Sequence, residues 1–161
     1  MNDIFAPLTL GPLTLMNRII RAATHEGLAT ADGMPTGDLA KMYRYLAAGG
    51  AGAIITGYVS VAKNGRTFPN MRMFDRDAYI DPYRSINDQL KQYGTPMILQ
   101  LAHGGSRSMS RLTGMNVISA SPRRRNDFGD RVQEASDAEV LAIIDAFVAA
   151  VVRAKAAGFD G

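Results

Sequence analysis

Apolar residues recur along this chain with two periods, and the changes of period fall at glycines. "LTLGPLTL" sets two short runs, Leu8–Leu10 and Leu13–Leu15, around Gly11-Pro12, the pattern of a β-hairpin. "RIIRAA" predicts a buried strand over residues 18–23, and "THEGLATADGMPTGD" a loop. The spacing of Leu39, Met42, Tyr43 and Leu46 predicts a helix over residues 37–48, stopped by Gly49-Gly50. "AGAIITGYVSV" is a continuous apolar run of the kind found in parallel sheets buried on both faces. A second helix is expected over residues 79–93, with Tyr83, Ile86, Leu90 and Tyr93 on one face and Gly94 as its stop. "PMILQLA" reads as a third buried strand, and residues 103–134 as one long loop. Ser136 and Glu139 form a capping box opening a third helix, whose apolar stripe is Val140, Ile143, Ile144, Phe147 and Val151, with Gly158 at its end.

Strand, helix and glycine stop repeat in that order, which implies a parallel sheet with right-handed crossovers. The slot after the first strand holds no GxGxxG, so a doubly wound nucleotide fold is disfavoured. Long segments follow strands while short turns follow helices, the asymmetry of a (β/α)8 barrel. The expected fold is α/β, the N-terminal portion of such a barrel: a bottom hairpin over residues 1–16, then three βα units over residues 17–161. "AGFDG" leads toward a fourth strand expected beyond Gly161. An open three-stranded parallel sheet exposes edge groups and an apolar face, so a homo-oligomer, or association with a C-terminal half, is expected.

The chain has 161 residues, 47% hydrophobic and 20% charged, the composition of a globular domain. Its net charge is +3, and the run Arg123-Arg124-Arg125 sits in a loop segment without interleaved aromatics, so nucleic acid is not an expected partner. With no cysteine, a disulfide framework, a thiolate metal site and a cysteine nucleophile are excluded. The same absence is compatible with the cytoplasm, and "MNDIFAPL" lacks the features of a signal peptide. Asp145, Arg153 and Lys155 interrupt the most apolar stretch, so no membrane span is expected. Two histidines without matching carboxylate spacing give no metal site.

In order along the chain, "FAPLTLGPLTLMNRII", "RAATHEG", "DGMPT", "AAGGAGAIITGYVSVAKNGR", "QLAHGG" and "AGFDG" together resemble the old yellow enzyme family. The resemblance implies an FMN-dependent oxidoreductase in which NAD(P)H reduces the flavin and hydride passes from flavin N5 to an activated alkene or enone, a small-molecule substrate. It also implies cofactor-binding positions. Ala22, Ala23 and Thr24 match the segment whose backbone lines the flavin ring, and Gly57 or Tyr58 matches the end of the second strand, also at the ring. Gln100 matches the glutamine on the pyrimidine edge, where an amide both donates and accepts; burying it without a partner would be costly.

His25 stands where many members carry threonine or cysteine; it either hydrogen-bonds the flavin or faces solvent. His103 is read as a packed loop histidine, and Arg107 is displaced by one position from the family's "HAGR" arginine. Arg21, within an apolar strand, either pairs with a carboxylate or faces the flavin. The resemblance places the substrate-binding pair on the fourth strand, so no catalytic residue is assigned and the chain is expected to be inactive alone. The alternative is a non-catalytic, self-associating half-barrel without flavin. A lyase or aldolase barrel is weaker, because Lys41, Lys63, Lys91 and Lys155 all fall on helices or loops.

Overall fold

A computed structural model describes residues 3–161. Strands β1 (Leu8–Leu10) and β2 (Leu13–Leu15) form the antiparallel hairpin, and Gly11 turns it with φ 57°. Three parallel strands follow in the order β3 (Ile20–Arg21), β4 (Ala53–Ile55) and β7 (Met97–Ile98). Helix α1 (Gly37–Ala48) crosses from β3 to β4, and α2 (Ile80–Leu90), flanked by 3-10 turns, crosses from β4 to β7. These are the successive βα units of the N-terminal part of a (β/α)8 barrel. Helix α4 (Asp137–Ala156) completes the third unit. Beyond it the chain runs along β7: the Asp160 N–H donates to Met97 O at 2.9 Å, and Leu99 N–H donates to Gly161 O at 2.8 Å.

Two runs that read as continuous strands are interrupted. The run over residues 51–61 divides into β4 and β5 (Val59–Ser60), and "PMILQLA" divides into β7 and β8 (Leu101–Ala102). Past the breaks, β5 pairs with β8 on one side and with β6 (Arg72–Met73) on the other. At the break, Thr56 Oγ1 replaces a backbone carbonyl by accepting from Gln100 N–H at 3.3 Å, and the Val59 N–H resumes the ladder on Gln100 O at 2.9 Å. Gly57 N–H is turned away from the ladder toward a side chain described below.

Leu39, Tyr43, Ile54, Ile86, Leu90 and Met97 pack α1 and α2 against the sheet. A second cluster joins Val59, Phe74, Tyr83 and Leu99 to Ala150 and Ala154 of α4, with Phe74 and Tyr83 edge to face at 5.1 Å. The stripe expected to bury α4 does so only in part: Phe147 packs against this cluster and Ile143 is half-buried. Val140, Ile144 and Val151 are exposed, and the buried contacts are the small Ala150 and Ala154, which let the helix approach closely, with Ala146 and Phe147 beside them. Polar clamps fix that approach: Asn87 Nδ2 donates to Ala157 O at 2.9 Å, and Arg153 Nε to Asp77 Oδ1 at 2.7 Å.

The segment 103–134, expected to be one loop, holds structure of its own. A one-turn helix, α3 (Ser110–Thr113), precedes a parallel ladder of β9 (Val117–Ser119) and β10 (Val132–Glu134). Asn126 ties it together, its Nδ2 donating to Ser106 O and Ser108 O at 3.0 Å each. Arg123-Arg124-Arg125 is exposed there. The capping box of α4 is formed: Ser136 Oγ accepts from Glu139 N–H at 3.3 Å, and Glu139 Oε2 accepts from Ser136 N–H at 2.8 Å. Ser136→Ala removes one half of that exchange and is expected to lower unfolding free energy by about 1 kcal/mol, read as a shifted urea midpoint at constant slope.

Candidate functional site

Because β3, β4 and β7 are parallel, their C-terminal ends open on one side, and the segments Arg21–His25, Thr56–Tyr58 and Leu99-Gln100 gather there. Glu26 fastens them from within. Its Oε1 accepts from Tyr43 OH of α1 and from Gly57 N–H, each at 2.7 Å, and lies 3.1 Å from Arg21 Nη1. Its Oε2 lies 3.0 Å from Arg72 Nη2 of β6, and both side chains are only 2% exposed. Arg72 also donates to Gly57 O, while Arg21 donates to Ile55 O at 2.8 Å and to Thr24 O at 3.2 Å. Four separate stretches of chain thus meet on one carboxylate.

Gly57 is required at this crossing. A Cβ there would come within 2.1 Å of Glu26 Oε2 and 2.3 Å of Thr24 O. Burial pushes the Glu26 carboxyl toward its neutral form, but Arg72, the Tyr43 and Gly57 hydrogen bonds and Arg21 together outweigh it and hold its pKa below 4.5. For Arg72, burial favours loss of charge, yet Tyr83, Tyr43 and Glu26 keep it protonated. The guanidinium carbon stands 5.9 Å from the ring centres of both tyrosines. Burial pushes the Tyr83 hydroxyl up to about 12 and Tyr43 higher still.

Around this anchor the expected residues take distinct positions. Ala22 and Thr24 are exposed and Ala23 half-buried, leaving that stretch of backbone open at the strand ends. Gly57 is buried, with its N–H and C=O both engaged, so it offers space rather than a hydrogen bond. His25 stacks on Tyr58 at 5.0 Å and on Phe68 at 5.1 Å, held by aromatic contact. Gln100 is exposed at the β7–β8 break, so the burial cost that singled it out in sequence does not arise here. Arg21 pairs with a carboxylate, which settles the choice its sequence position left open.

His103 is packed, as its loop position suggested. Nδ1 accepts from Gly105 N–H at 3.1 Å, which makes Nε2 the protonated nitrogen, donating to Asn64 Oδ1 at 3.0 Å. Burial lowers its pKa and keeps it neutral. The residues that pattern reasoning missed are Glu26, Tyr43 as its partner, and Arg72. The signals were faint: a lone carboxylate in "THEG" and an arginine inside the apolar "MRMF". Among the described residues, no three His, Cys, Asp or Glu side chains gather as a metal site, and no helix is long and apolar enough to cross a membrane.

The sequence profile of the NADH:flavin oxidoreductase / NADH oxidase family matches residues 3–161. A metal reductase of Desulforamulus reducens is 34% identical over 161 residues, covering 100% of this chain and 24% of that protein. An NADH:acrylate oxidoreductase of Vibrio harveyi is 36% identical over 151 residues, covering 91% of this chain and 15% of that protein. The solved structure of the old yellow enzyme homologue from Zymomonas mobilis matches with a TM-score of 0.92 at 27% identity, covering 99% of this chain and 47% of that one. The chain therefore spans less than half the length of each of these relatives.

Removing Glu26 strands Arg72 as a buried, unpaired charge, so Glu26→Ala is expected to cost about 3–5 kcal/mol in chemical denaturation. The pH dependence has a definite sign. A carboxyl held below 4.5 in the folded chain adds stability above that value and loses it as pH falls. Between about pH 5 and pH 3 the melting temperature of the parent chain is expected to fall more steeply than that of Glu26→Gln. Parallel curves would remove the charge pairing from the account.

Proposed function

The chain belongs to the NADH:flavin oxidoreductase / NADH oxidase family, and from that premise we propose that it forms the flavin-facing N-terminal part of an FMN-dependent oxidoreductase acting on an activated alkene or enone. FMN, when bound, would supply hydride-transfer chemistry between NAD(P)H and an activated alkene, and Ala22, Ala23, Thr24, Gly57 and Gln100 would hold its ring. The observation that carries this reading is the convergence, at the open ends of parallel strands, of an exposed small-residue backbone and an exposed amide: Ala22 to Thr24 and Gln100. These residues suit a flat, hydrogen-bonding ring.

Ala22, Ala23 and Thr24 permit close approach because they project little bulk. The Gln100 amide is free to donate to and accept from a pyrimidine-like edge. Gly57 keeps the floor clear of a side chain, and Tyr58 walls the site. His25, fixed in plane by its two aromatic neighbours, can donate a hydrogen bond to a ring carbonyl without losing rotamer freedom on binding. Charge arriving on a substrate carbonyl needs oriented donors, which we assign to strands beyond these three; turnover is expected to require them. The acrylate named for the Vibrio harveyi relative is itself an activated alkene, which supports this substrate class.

Titrating FMN with the purified chain is expected to quench flavin fluorescence, and Gln100→Ala to raise the Kd about tenfold. An unchanged Kd removes Gln100 from the site, and no quenching at any concentration means that this part does not hold the flavin without the rest of the barrel.

One observation favours the second reading, a self-associating module without flavin. Leu141, Val148, Val151 and Val152 leave an apolar surface on α4, with Val148 60% exposed. On that reading a second copy covers α4. The mass from light scattering is expected to rise with concentration for the parent chain and to stay monomeric for Val148→Glu.

A further inference from the structure

A cavity of about 200 Å³ lies apart from the strand ends, and none of the residues lining it belongs to the candidate site. Asp32 enters it from the segment between β3 and α1, Lys63 and Arg66 from the turn after β5, and Asp75 and Arg76 from the stretch between β6 and α2. Its volume falls below the roughly 300–1,000 Å³ of drug-sized ligand sites, so its occupant is small. Three cations and two carboxylates line it, yet among the described residues none of the five makes an ion pair. Unpaired charges around a small cavity keep their attraction for a ligand.

The five groups are not equivalent. Arg66 is held by donating to Phe68 O at 3.2 Å and to Pro69 O. Arg76 lies over the Tyr79 ring, 4.8 Å from its centre, and Tyr79 OH donates to Asp32 O at 2.7 Å, tying the stretch after β3 to the start of α2. Lys63 is exposed, and its flexible stem lets the ammonium swing to meet an anion. Asp32 already accepts from the Thr30 hydroxyl; that bond, its own backbone N–H, and the charges of Arg76 and Arg66 hold its carboxyl below the ordinary range. Asp75 is the group in want of a partner, for its Oδ1 is sealed from water and accepts no hydrogen bond. A carboxylate that has lost water on one oxygen gains the more from a donor at the other.

The cavity therefore calls for a small ligand with several anionic oxygens for the cations and one donor for Asp75. Sulfate has the oxygens but no proton at neutral pH, and it meets Asp75 with like charge. A phosphate monoester, with a second pKa of about 6, has lost its proton there too. Inorganic phosphate keeps at least one O–H at neutral pH. We propose that this cavity binds inorganic phosphate, its O–H donating to Asp75 and its other oxygens accepting from Lys63, Arg66 and Arg76. Bound there, phosphate bridges the stretches after β3, β5 and β6 and stabilises the chain by mass action. The site goes beyond the proposed function and does not rest on it.

Calorimetric titrations of the full chain at about pH 7.5 and fixed ionic strength test it, with inorganic phosphate, sulfate and methyl phosphate as probes. Phosphate is expected to bind about tenfold more tightly than either of the others. Asp75→Asn keeps the shape but offers an N–H, and is expected to erase that preference. Lys63→Gln is expected to weaken phosphate binding about tenfold. Lys63 is exposed and outside the buried core, so this variant folds whatever becomes of Asp75→Asn. Equal affinities for the three anions in the parent chain, failure of phosphate to bind, a preference that survives in Asp75→Asn, or an unchanged phosphate affinity in Lys63→Gln would each overturn the proposal. The measurement uses neither flavin nor NAD(P)H, so its failure is separate from failure of the flavin titration.

Discussion

Glu26 is a carboxylate buried beneath the C-terminal ends of three parallel strands, and the geometry of those ends follows from satisfying it. Taking a charge out of water costs several kcal/mol, and the cost is met only if partners surround it closely. Here the partners are Arg72 at 3.0 Å, Arg21 at 3.1 Å, and the Tyr43 hydroxyl and Gly57 amide at 2.7 Å each. They come from β6, β3, α1 and the end of β4. A network with so many members on one acceptor fixes the relative placement of all of them, because losing any one leaves a buried polar group unsatisfied.

That requirement explains the interruptions in the sheet. Gly57 cannot give its N–H both to Glu26 and to the neighbouring strand, so the ladder lapses there and the Thr56 hydroxyl fills in for Gln100 N–H. The lapse leaves Gln100 exposed at the rim rather than locked in a regular pair. It also excludes any side chain from position 57, because the Thr24 carbonyl and the Glu26 carboxylate occupy the space where one would go. Steric and hydrogen-bonding constraints therefore meet at one glycine.

Much of this fold was legible because its signals are local. The helix over residues 37–48 carries its own start and stop: Thr36 Oγ1 accepts from Leu39 N–H, and Gly50 with φ 83° follows the end. The hairpin and the capping box are equally self-contained. The breaks at Thr56 and Gln100 were not legible, since a continuous apolar run gives no sign that a carboxylate 31 residues earlier will claim one of its amides. The α4 stripe misled for a related reason. Periodicity identifies a face that is apolar, whereas of that stripe only Phe147 packs against the core and the buried positions are the small Ala150 and Ala154. In the candidate site, resemblance marked the positions around His25 and Gln100, while the buried pair that ties Arg21, Tyr43 and Gly57 together, Glu26 and Arg72, lies 46 residues apart and has no shared pattern.

The charge count of the network bears on the chemistry proposed for its upper surface. Two arginines face one carboxylate, so the cluster of Arg21, Arg72 and Glu26 keeps one net positive charge beneath the strand ends. Buried charge is poorly screened, and its field reaches the surface above more strongly than that of an exposed lysine would. In the proposed function this is the surface over which hydride moves and negative charge accumulates. A second arginine is more than Glu26 needs for neutrality, but it suits a site whose ligands become more negative as they react. Arg107 adds a further positive charge at the surface, 70% exposed and 3.6 Å from Asp127. On that reading the fixed positive charge lies beneath the place where a ligand gaining negative charge would sit.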